Sequence, residues 1–456
     1  MKRIIFESKI KGGISIMMKG KSMKKSKRML NLVVLFIVVS LFVTVSITSV
    51  FAKETTLTVR CWEYQQKCIN ACLDKFYELY PEIKIKFEVM GPSDVYEKLL
   101  LDISAGEGAP DVTGCENSHL AQFVALGGLY DITEKALPYY IKMESAKWID
   151  AMDKEKRIYA MPWDSGPVAI WYRRDVFEKA GLVSDPESVA KLLDTWDDFY
   201  EVAKIIKEKT GSYMFAQAKA NNDFRIYEIL LWQQGAGYVD KEGKVVIDSP
   251  KAVDTLKYLG KFWKEDLIQD AVSWTAGWYA GMDEGKVATI IEGVWMGGFL
   301  SSWITPGSSG KWGVVPLPVW EKGGVRSSND GGSTLAITNQ CEDKEAAWKF
   351  IEYITTNKEA QLIAWKEMDS FPSLLECYTD SAIVEEEVAF FGGQKQRKVF
   401  VEAAKRIPWW NYTKDYAEMN SILQAYVTAY ARGDITSAQE ALTQIAAEIR
   451  MRTGRK

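Results

Sequence analysis

The segment at residues 158–182, IYAMPWDSGPVAIWYRRDVFEKAGL, constrains the fold more than any other part of the chain. It holds two short apolar runs separated by Pro162 and a Gly-Pro dipeptide, and an amphipathic stretch follows. Proline favours extended geometry in the residue before it, and Gly-Pro is typical of turns. The pattern predicts a chain that leaves one packed unit, crosses in extended form and enters a second unit, with Trp163 and Asp164 at the crossing.

The N-terminus has the pattern of an export signal. An apolar run at residues 30–49 follows a basic stretch, and residues 50–52 place small side chains where a signal peptidase reads them. We expect a leader that starts at Met23 and is cleaved after Ala52. Because the apolar run is long, an uncleaved membrane anchor is the alternative. No lipidation motif follows the cleavage site, so the expected location is the periplasm or cell exterior, reached through the Sec pathway.

Charge and length set the class of partner. Removal of residues 1–52 takes away ten Lys or Arg and one Glu, which leaves 47 basic and 60 acidic residues and a formal net charge of −13. Nucleic acid is excluded as a partner, because phosphate binding needs a basic surface. The chain of 456 residues is long enough for two or three domains.

Cysteine and histidine content argues against metal chemistry. The six cysteines are Cys61, Cys68, Cys72, Cys115, Cys341 and Cys377. In an exported chain they permit disulfides of undetermined pairing. Cys68 and Cys72 have a spacing that zinc could use, but no second pair lies nearby, so buried thiols or one or two bridges are favoured. His119 is the only histidine, which leaves catalytic triads and multi-histidine sites unsupported. No cofactor or metal is expected.

The first unit alternates strands and helices. Residues 57–61 and 83–89 have the alternation of strands, a helical pattern ends between them at Pro81, and another helix at 95–104 leads to a strand from residue 111. This order predicts a parallel α/β sheet. In such sheets ligands bind beyond the carboxyl ends of the strands. The candidates at two such ends are Trp62, Glu63, Glu116 and Asn117.

The second unit repeats this organisation. Thr195 and Asp198 form a capping box ahead of a helix that ends at Gly211. A strand is predicted at residues 213–218, with helices at 224–234 and 252–263. A second α/β unit follows from this order.

Aromatic and acidic residues near element ends suit an uncharged, polyhydroxylated ligand, because aromatic faces stack on sugar rings and carboxylates bind hydroxyls. Tryptophans at regular spacing among apolar neighbours are predicted to be core: Trp148, Trp171, Trp196, Trp263 and Trp348. Those near element ends are site candidates: Trp62, Trp163, Trp232, Trp274, Trp278, Trp295, Trp365, Trp409 and Trp410. The acidic candidates are Glu63, Glu116, Asp164, Asp223, Asp283, Glu292 and Asp330, of which Asp164 and Glu116 are favoured and Asp283 is interpreted as a surface charge. The adjacent glycines Gly331 and Gly332 let the backbone approach a ligand closely.

Several of these motifs together resemble one family. YAMPWD followed by WYRRDVFEKAGL is similar to the first hinge crossing of the extracellular solute-binding proteins, family 1, the maltose-binding-protein-like sugar-binding components of ABC importers. Residues 285–295 resemble that family's Gly-Lys-x-Ala strand and its Gly-x-Trp turn. Residues 329–334 and 369–373 resemble its second and third crossings. The resemblance extends from about residue 57 to the C-terminal helix.

The resemblance implies a two-lobed periplasmic-binding-protein fold of type II, with two α/β domains and a hinge of about three crossings. One lobe would comprise residues 53–163 and about 295–370, and the other residues 164–294 and 371–456. The protein would capture a mono- or oligosaccharide by hinge closure and deliver it, as a monomer, to membrane permease subunits. The sugar-contacting set implied by the resemblance is Trp163, Asp164, Trp295 and one of Trp409 or Trp410.

Two other functions compete with sugar binding. A secreted glycoside hydrolase would use two carboxylates, such as Asp164 and Glu292, as acid and nucleophile. The order of unit, crossing and unit favours a binding protein, and no hydrolase motif is present, so we expect no enzyme. A binder of peptides, polyamines or ferric ion is disfavoured by the many tryptophans and by the lack of a metal cluster.

Overall fold

The computed structural model describes residues 54–219, 224–408 and 412–456. Ten strands are present in this part of the chain: β1 Thr55–Cys61, β2 Ile83–Val89, β3 Val112–Glu116, β4 Met161–Pro162, β5 Val168–Arg173, β6 Phe215–Ala216, β7 Ile268–Gln269, β8 Thr289–Gly293, β9 Trp312–Val315 and β10 Ser333–Ile337. The α-helices of the first half are α1 Glu63–Asn70, α2 Leu73–Leu79, α3 Pro92–Ala105, α4 Asn117–Ala125, α5 Thr133–Ala136, α6 Trp148–Ala151, α7 Arg174–Lys179, α8 Pro186–Leu192, α9 Trp196–Thr210 and α10 Arg225–Gln233. Those of the second half are α11 Pro250–Lys264, α12 Ala276–Asp283, α13 Met296–Phe299, α14 Lys344–Thr356, α15 Lys358–Met368, α16 Ser381–Val384, α17 Gln396–Ala404, α18 Tyr416–Arg432 and α19 Ala438–Thr453.

The first sheet has five strands in the order β2-β1-β3-β10-β4. Leu57 and Val59 are fully buried on β1, as the alternation of apolar residues predicts. Strand β1 pairs in parallel with β2 and β3, which the intervening helices allow. Strand β10 joins β3 in the antiparallel direction, so the sheet is mixed and not parallel throughout as predicted.

The second unit contains a three-stranded antiparallel sheet, β8-β5-β9, and a short parallel pair, β6-β7. Strand β9 pairs with β5, so residues 312–315 belong to the same sheet as the chain that follows the first crossing. The lobe limits remain a prediction. The pairing of β9 favours moving the limit near residue 295 to the crossing at 329–333.

Local signals in the sequence correctly located α9. Thr195 accepts from the backbone N–H of Asp198, and the Asp198 carboxylate accepts from the N–H of Thr195, which completes a capping box. Gly211 ends the helix with φ 75°, a left-handed conformation that glycine adopts without strain. The five tryptophans predicted to be core residues are all buried: Trp148, Trp171, Trp196, Trp263 and Trp348.

Three crossings connect the two sheets and lie side by side. The backbone N–H of Trp163 donates to the carbonyl of Ser333 at 3.0 Å, and the N–H of Ser373 donates to the carbonyl of Trp163 at 3.1 Å. The N–H of Ser165 donates to the carbonyl of Phe371 at 2.9 Å. The first crossing therefore lies between the second and third, and the backbone hydrogen bonds hold the three together.

Cysteines are free and buried in this structure. Burial raises the pKa of Cys61, Cys72, Cys341 and Cys377 to about 12, so these thiols stay protonated at neutral pH and are poor nucleophiles. Within the described ranges, no helix has the length and apolar character needed to cross a membrane.

Candidate functional site

A cavity of about 490 Å³ opens between the two sheets at the crossings. Its volume is in the range typical of small-molecule sites. The residues that line it are Trp62, Tyr64, Pro92, Glu116, Asp164, Arg225, Trp274, Glu292, Trp295, Phe299, Asp330, Gly331, Gly332 and Ser333.

One wall comes from the carboxyl edge of the first sheet. Trp62 directly follows β1, and Glu116 is the last residue of β3. Parallel strands end at the same edge of a sheet, which brings these two distant residues together. Burial raises the pKa of Glu116, and the nearby Arg225 opposes this shift.

The floor of the cavity is made by the crossings. Asp164 accepts a hydrogen bond from the backbone N–H of Ser333 at 2.6 Å and another from its hydroxyl at 2.5 Å. Burial raises the pKa of Asp164, and Lys147 and the two Ser333 bonds oppose this shift. Gly332 has φ 84°, and a Cβ added there would lie 3.0 Å from the backbone carbonyl oxygen of Asp164 and 3.2 Å from the Cα of Ser165, as well as close to the Lys147 Nζ atom. Glycine is therefore required at this point of the floor.

The opposite wall is aromatic. Trp274 stacks on Trp295 with ring centroids 5.7 Å apart and an interplanar angle of 29°, and Phe299 lies 5.6 Å from Trp295. The indole N–H of Trp295 donates to the carbonyl of Asp330 at 3.0 Å. This hydrogen bond fixes the orientation of the ring.

Asp330 links the floor to this wall. Its Oδ1 lies 3.3 Å from the Nε of Arg225, and its Oδ2 accepts from the N–H of Gly293 at 3.4 Å. Its own N–H donates to the carbonyl of Gly166 at 2.7 Å. Asp330, a residue of the second crossing, thus positions Arg225, the end of β8 and the first crossing.

Behind the floor lies a buried polar network. The Lys147 ammonium donates to the Asn117 side-chain carbonyl at 2.6 Å, and the Asn117 amide donates to the Asp150 carboxylate at 3.2 Å. Burial raises the pKa of Asp150 to about 7 and lowers that of Lys147, although Asp164 and other carboxylates oppose the shift of the lysine. Asn117 therefore supports the floor from behind and does not line the cavity.

The structure brings together six of the predicted site residues in the lining: Trp62, Glu116, Asp164, Trp295, Gly331 and Gly332. Five others lie outside it: Glu63, Asn117, Trp163, Trp232 and Trp278. Trp409 and Trp410 lie outside the described residues, as do Asp223 and the leader at residues 1–52.

The five residues outside the lining have identifiable partners. Glu63 is exposed and forms an ion pair of 2.7 Å with Lys67. Trp163 is 1% exposed and packs in the core, and Trp232 is buried with its ring 5.3 Å from Tyr412. Trp278 packs behind the aromatic wall of the cavity, because its ring lies 5.1 Å from that of Trp274.

The sequence did not point to five of the lining residues: Tyr64, Pro92, Arg225, Phe299 and Ser333. Two of them carried a readable signal. Arg225 begins an otherwise mostly apolar helix, and Phe299 follows Trp295 by four residues, which puts both rings on one helix face. Trp274 belonged only to the wider set of tryptophans near element ends, and Glu292 and Asp330 belonged only to the wider set of acidic candidates.

His119 does not line the cavity. The His119 ring stacks on Tyr96 with centroids 3.8 Å apart, and burial, aided by Arg225, lowers its pKa to about 4. Across residues 54–219, 224–408 and 412–456, no three His, Cys, Asp or Glu side chains are placed to hold a metal ion. The cavity instead combines aromatic faces with carboxylates and one guanidinium.

Two sheets joined by three crossings, with a lined cleft between them, form the fold of the two-lobed periplasmic binding proteins. The family described as bacterial extracellular solute-binding protein matches residues 64–361. This match covers more than half of the chain, and the chain belongs to that family.

Known relatives and solved structures agree with this assignment. The chain is 26% identical over 367 residues to the arabinooligosaccharide-binding protein of Bacillus subtilis (strain 168), covering 75% of this chain and 81% of that protein. It is 26% identical over 407 residues to the lactose-binding protein of Rhizobium radiobacter, covering 87% and 92% respectively. The ABC transporter associated binding protein from B. animalis subsp. lactis Bl-04, solved in complex with beta-1,6-galactobiose, superposes with a TM-score of 0.74 at 25% identity and covers 86% of this chain and 96% of its own.

Proposed function

We propose that this protein captures a sugar in the cavity between its two sheets and delivers it to the permease of an ABC importer. The observation that carries the proposal is the stacked pair of Trp274 and Trp295, which faces a cleft whose floor carries carboxylates. Relatives that bind arabinooligosaccharide and lactose support the same class of ligand.

The charges of the cavity favour a neutral ligand. Two of its carboxylates already have partners, since Asp164 accepts from Ser333 and Asp330 pairs with Arg225. With four carboxylates and a single guanidinium, the lining disfavours an anionic ligand, and burial raises the pKa of Glu116 and Asp164, which disfavours the charged forms that a cation would need. Hydroxyl groups can donate to the remaining carboxylate lone pairs and accept from the guanidinium, while the rings cover the apolar faces of the sugar.

The proposed contact set combines the predicted residues Trp62, Glu116, Asp164 and Trp295 with Trp274 and Glu292 from the wider sets of candidates and with Arg225, which the sequence did not indicate. The two glycines of the floor complete it by letting a sugar approach the backbone. Residues from both sheets take part, so a bound sugar would bridge the two units and favour the closed arrangement.

Calorimetric titration of the mature protein with mono- and oligosaccharides tests the proposal, after a thermal-shift screen has selected the ligands. Trp295→Ala removes the fixed aromatic face and should cost about 2 kcal/mol of binding, roughly thirtyfold in affinity, while the fold survives. Normal affinity in both Trp295→Ala and Asp164→Ala would refute the assignment of the site.

Trp196→Ala is the matched control for Trp295→Ala. Trp196 is 2% exposed, and its indole N–H donates to Gln233 at 2.8 Å. Truncation of Trp196 should lower the melting temperature, whereas the protein that remains folded should keep its affinity for sugar.

The proposal includes the absence of catalysis, because the family consists of binding proteins. Prolonged incubation of the protein with each bound oligosaccharide should release no new reducing ends. Cleavage that disappears in Asp164→Asn would instead establish the glycoside hydrolase.

Export and assembly are part of the same proposal. Proteins of this family are extracellular, which supports export of this chain. We propose that the leader is cleaved after Ala52, that the chain uses the Sec route without lipidation and that the mature protein is a monomer. N-terminal sequencing of protein from the native host should begin at Lys53, and sedimentation should give one chain per particle. Retention of the leader in a membrane fraction would contradict this route.

A further inference from the structure

An aromatic stripe runs out of the cavity along the segment that follows β8. Trp295, Phe299 and Trp303 are spaced four residues apart across α13 and the π-helical turn Leu300–Ile304 that continues it. The rings of Trp295 and Phe299 lie 5.6 Å apart, and those of Phe299 and Trp303 lie 5.8 Å apart. Tyr279 of α12 contacts the outer end, 5.0 Å from the Trp303 ring. The first two members line the cavity and Trp303 does not, so the stripe continues beyond it.

The same segment is anchored by a second, inward stripe. Met296, Leu300 and Ile304 are buried and follow the aromatic residues by one position each. The hydroxyls of Ser301 and Ser302 donate to carbonyls of the preceding turn, at 3.0 and 2.6 Å. The aromatic side chains are therefore held on the outer face of a segment whose inner face is fixed in the core.

The stripe is unusually exposed for its composition. Among the tryptophans of residues 54–219, 224–408 and 412–456, only Trp274 and Trp303 are exposed, at 42% and 48%. Both belong to this one aromatic cluster, because Trp274 contacts Trp295 and Phe299. Exposed apolar patches on a folded protein mark binding surfaces.

The absence of charged side chains along the stripe indicates which kind of ligand binds there. Residues 293–310 contain no charged side chain, so the stripe offers aromatic faces, serine hydroxyls and backbone. Such a surface does not attract an acidic or basic peptide, but it suits a neutral saccharide, whose rings stack on aromatic faces. The stripe is also continuous with the proposed sugar site, so the same ligand can occupy both.

The geometry points to an extended site in which the outer units of an oligosaccharide stack on Trp303 and Tyr279 while one end fills the cavity. This inference rests on the proposed function. The protein would then select chains longer than the cavity holds, and affinity would grow with chain length as the stripe is covered.

The test is a titration of full mature protein with two homologous series, arabinooligosaccharides and galactooligosaccharides, each from the disaccharide to the hexasaccharide. In a series that binds, Trp303→Ala should weaken the longest chains on the order of five- to tenfold and leave the disaccharide unchanged. Trp295→Ala should weaken every member. Melting temperatures are measured for both variants, and Trp303→Phe should recover part of the affinity for long chains.

The outcomes separate the two proposals. If neither series nor the wider sugar screen gives binding to the parent, the proposed function fails and the inference with it. If sugars bind but Trp303→Ala affects no length, or affects all lengths equally, the extended site alone is refuted. A concentration-dependent dimer that Trp303→Ala abolishes, without any effect of chain length, would assign the stripe to a second copy of the chain and also overturn it.

Discussion

Trp274 adopts a left-handed backbone conformation, with φ 64°, that residues other than glycine rarely adopt. Such a conformation costs on the order of 1–3 kcal/mol and persists only where the surroundings hold it. Contacts with Trp278, Trp295 and Phe299 supply that support, although the side chain is 42% exposed. Strain of this kind concentrates at ligand clamps, which agrees with the proposed role of this ring.

His119 provides a direct measurement of electrostatics at the edge of the site. We expect its ring resonance, the only histidine signal of an untagged protein, to titrate with a midpoint of about 4 in the native state by proton NMR and near 6.5 in the unfolded state. Burial, aided by Arg225, causes the shift by disfavouring the charged ring.

The sign of the pH effect follows from that shift. Between pH 6.5 and 4 the unfolded state binds more protons at His119 than the native state, so this residue contributes stability above pH 6.5 that is lost as the pH falls towards 4. Asp150, whose pKa is raised to about 7, acts in the opposite direction between pH 3.8 and 7. A native midpoint near 6.5 would contradict the buried, stacked ring.

Six of the fourteen residues that line the cavity were among the predicted site residues, and extended geometry explains one of the differences. Neighbouring residues of an extended chain point to opposite faces, so Trp163 and Asp164 could not both face the cavity. Asp164 does so, and Trp163 is buried on the other side. Arg225 was missed because its place beside Asp330 depends on a contact between distant segments that no local pattern encodes.

At the scale of elements, the first and second crossings approach each other closely at Gly166 and Asp330. A Cβ added to Gly166 would meet the carbonyl oxygen of Asp330 at 1.9 Å, and backbone cannot rotate away as a side chain does. Gly166→Ala should therefore destabilise the protein by about 1–3 kcal/mol, measured as a lower urea midpoint at unchanged slope. Binding should weaken as well, because Asp330 positions Arg225 and Trp295.

Gly277→Ala is the control for Gly166→Ala. Gly277 lies in α12 with no atom near the position of an added Cβ, so alanine there should stabilise the helix by about 0.5–1 kcal/mol. Equal changes in the urea midpoint for the two substitutions would show that the close approach of Gly166 to Asp330 does not limit the stability of the protein.

Elements with local signals were predictable, and pairings between distant strands were not. The capping box of α9 and the alternation in β1 can be read from a few neighbouring residues. The predicted strand at residues 213–218 is reduced to the two residues of β6, since its length depends on the short partner β7. The antiparallel direction of β10 likewise follows from tertiary structure alone.

For the whole molecule, ligand binding between two units joined by crossings predicts closure. Small-angle scattering should show a smaller radius of gyration in the presence of saturating sugar, because contacts from both walls favour the closed state. Trp295→Ala at the same sugar concentration should show a smaller decrease. An unchanged radius, with binding demonstrated by calorimetry, would mean that the two units do not move.

The first sheet is completed by a strand that arrives late in the chain. The Thr334 hydroxyl donates to the carbonyl of Cys115 across 219 positions, and all three strands of the second sheet lie between them. During synthesis β1, β2 and β3 can pair early, but the outer edge of β3 stays open until residues 333–337 have emerged. Contacts of such long sequence separation form slowly, and open strand edges are sites of mispairing. Folding of this protein is therefore expected to pass through a stage in which a three-stranded sheet with an unprotected edge waits for the rest of the polypeptide.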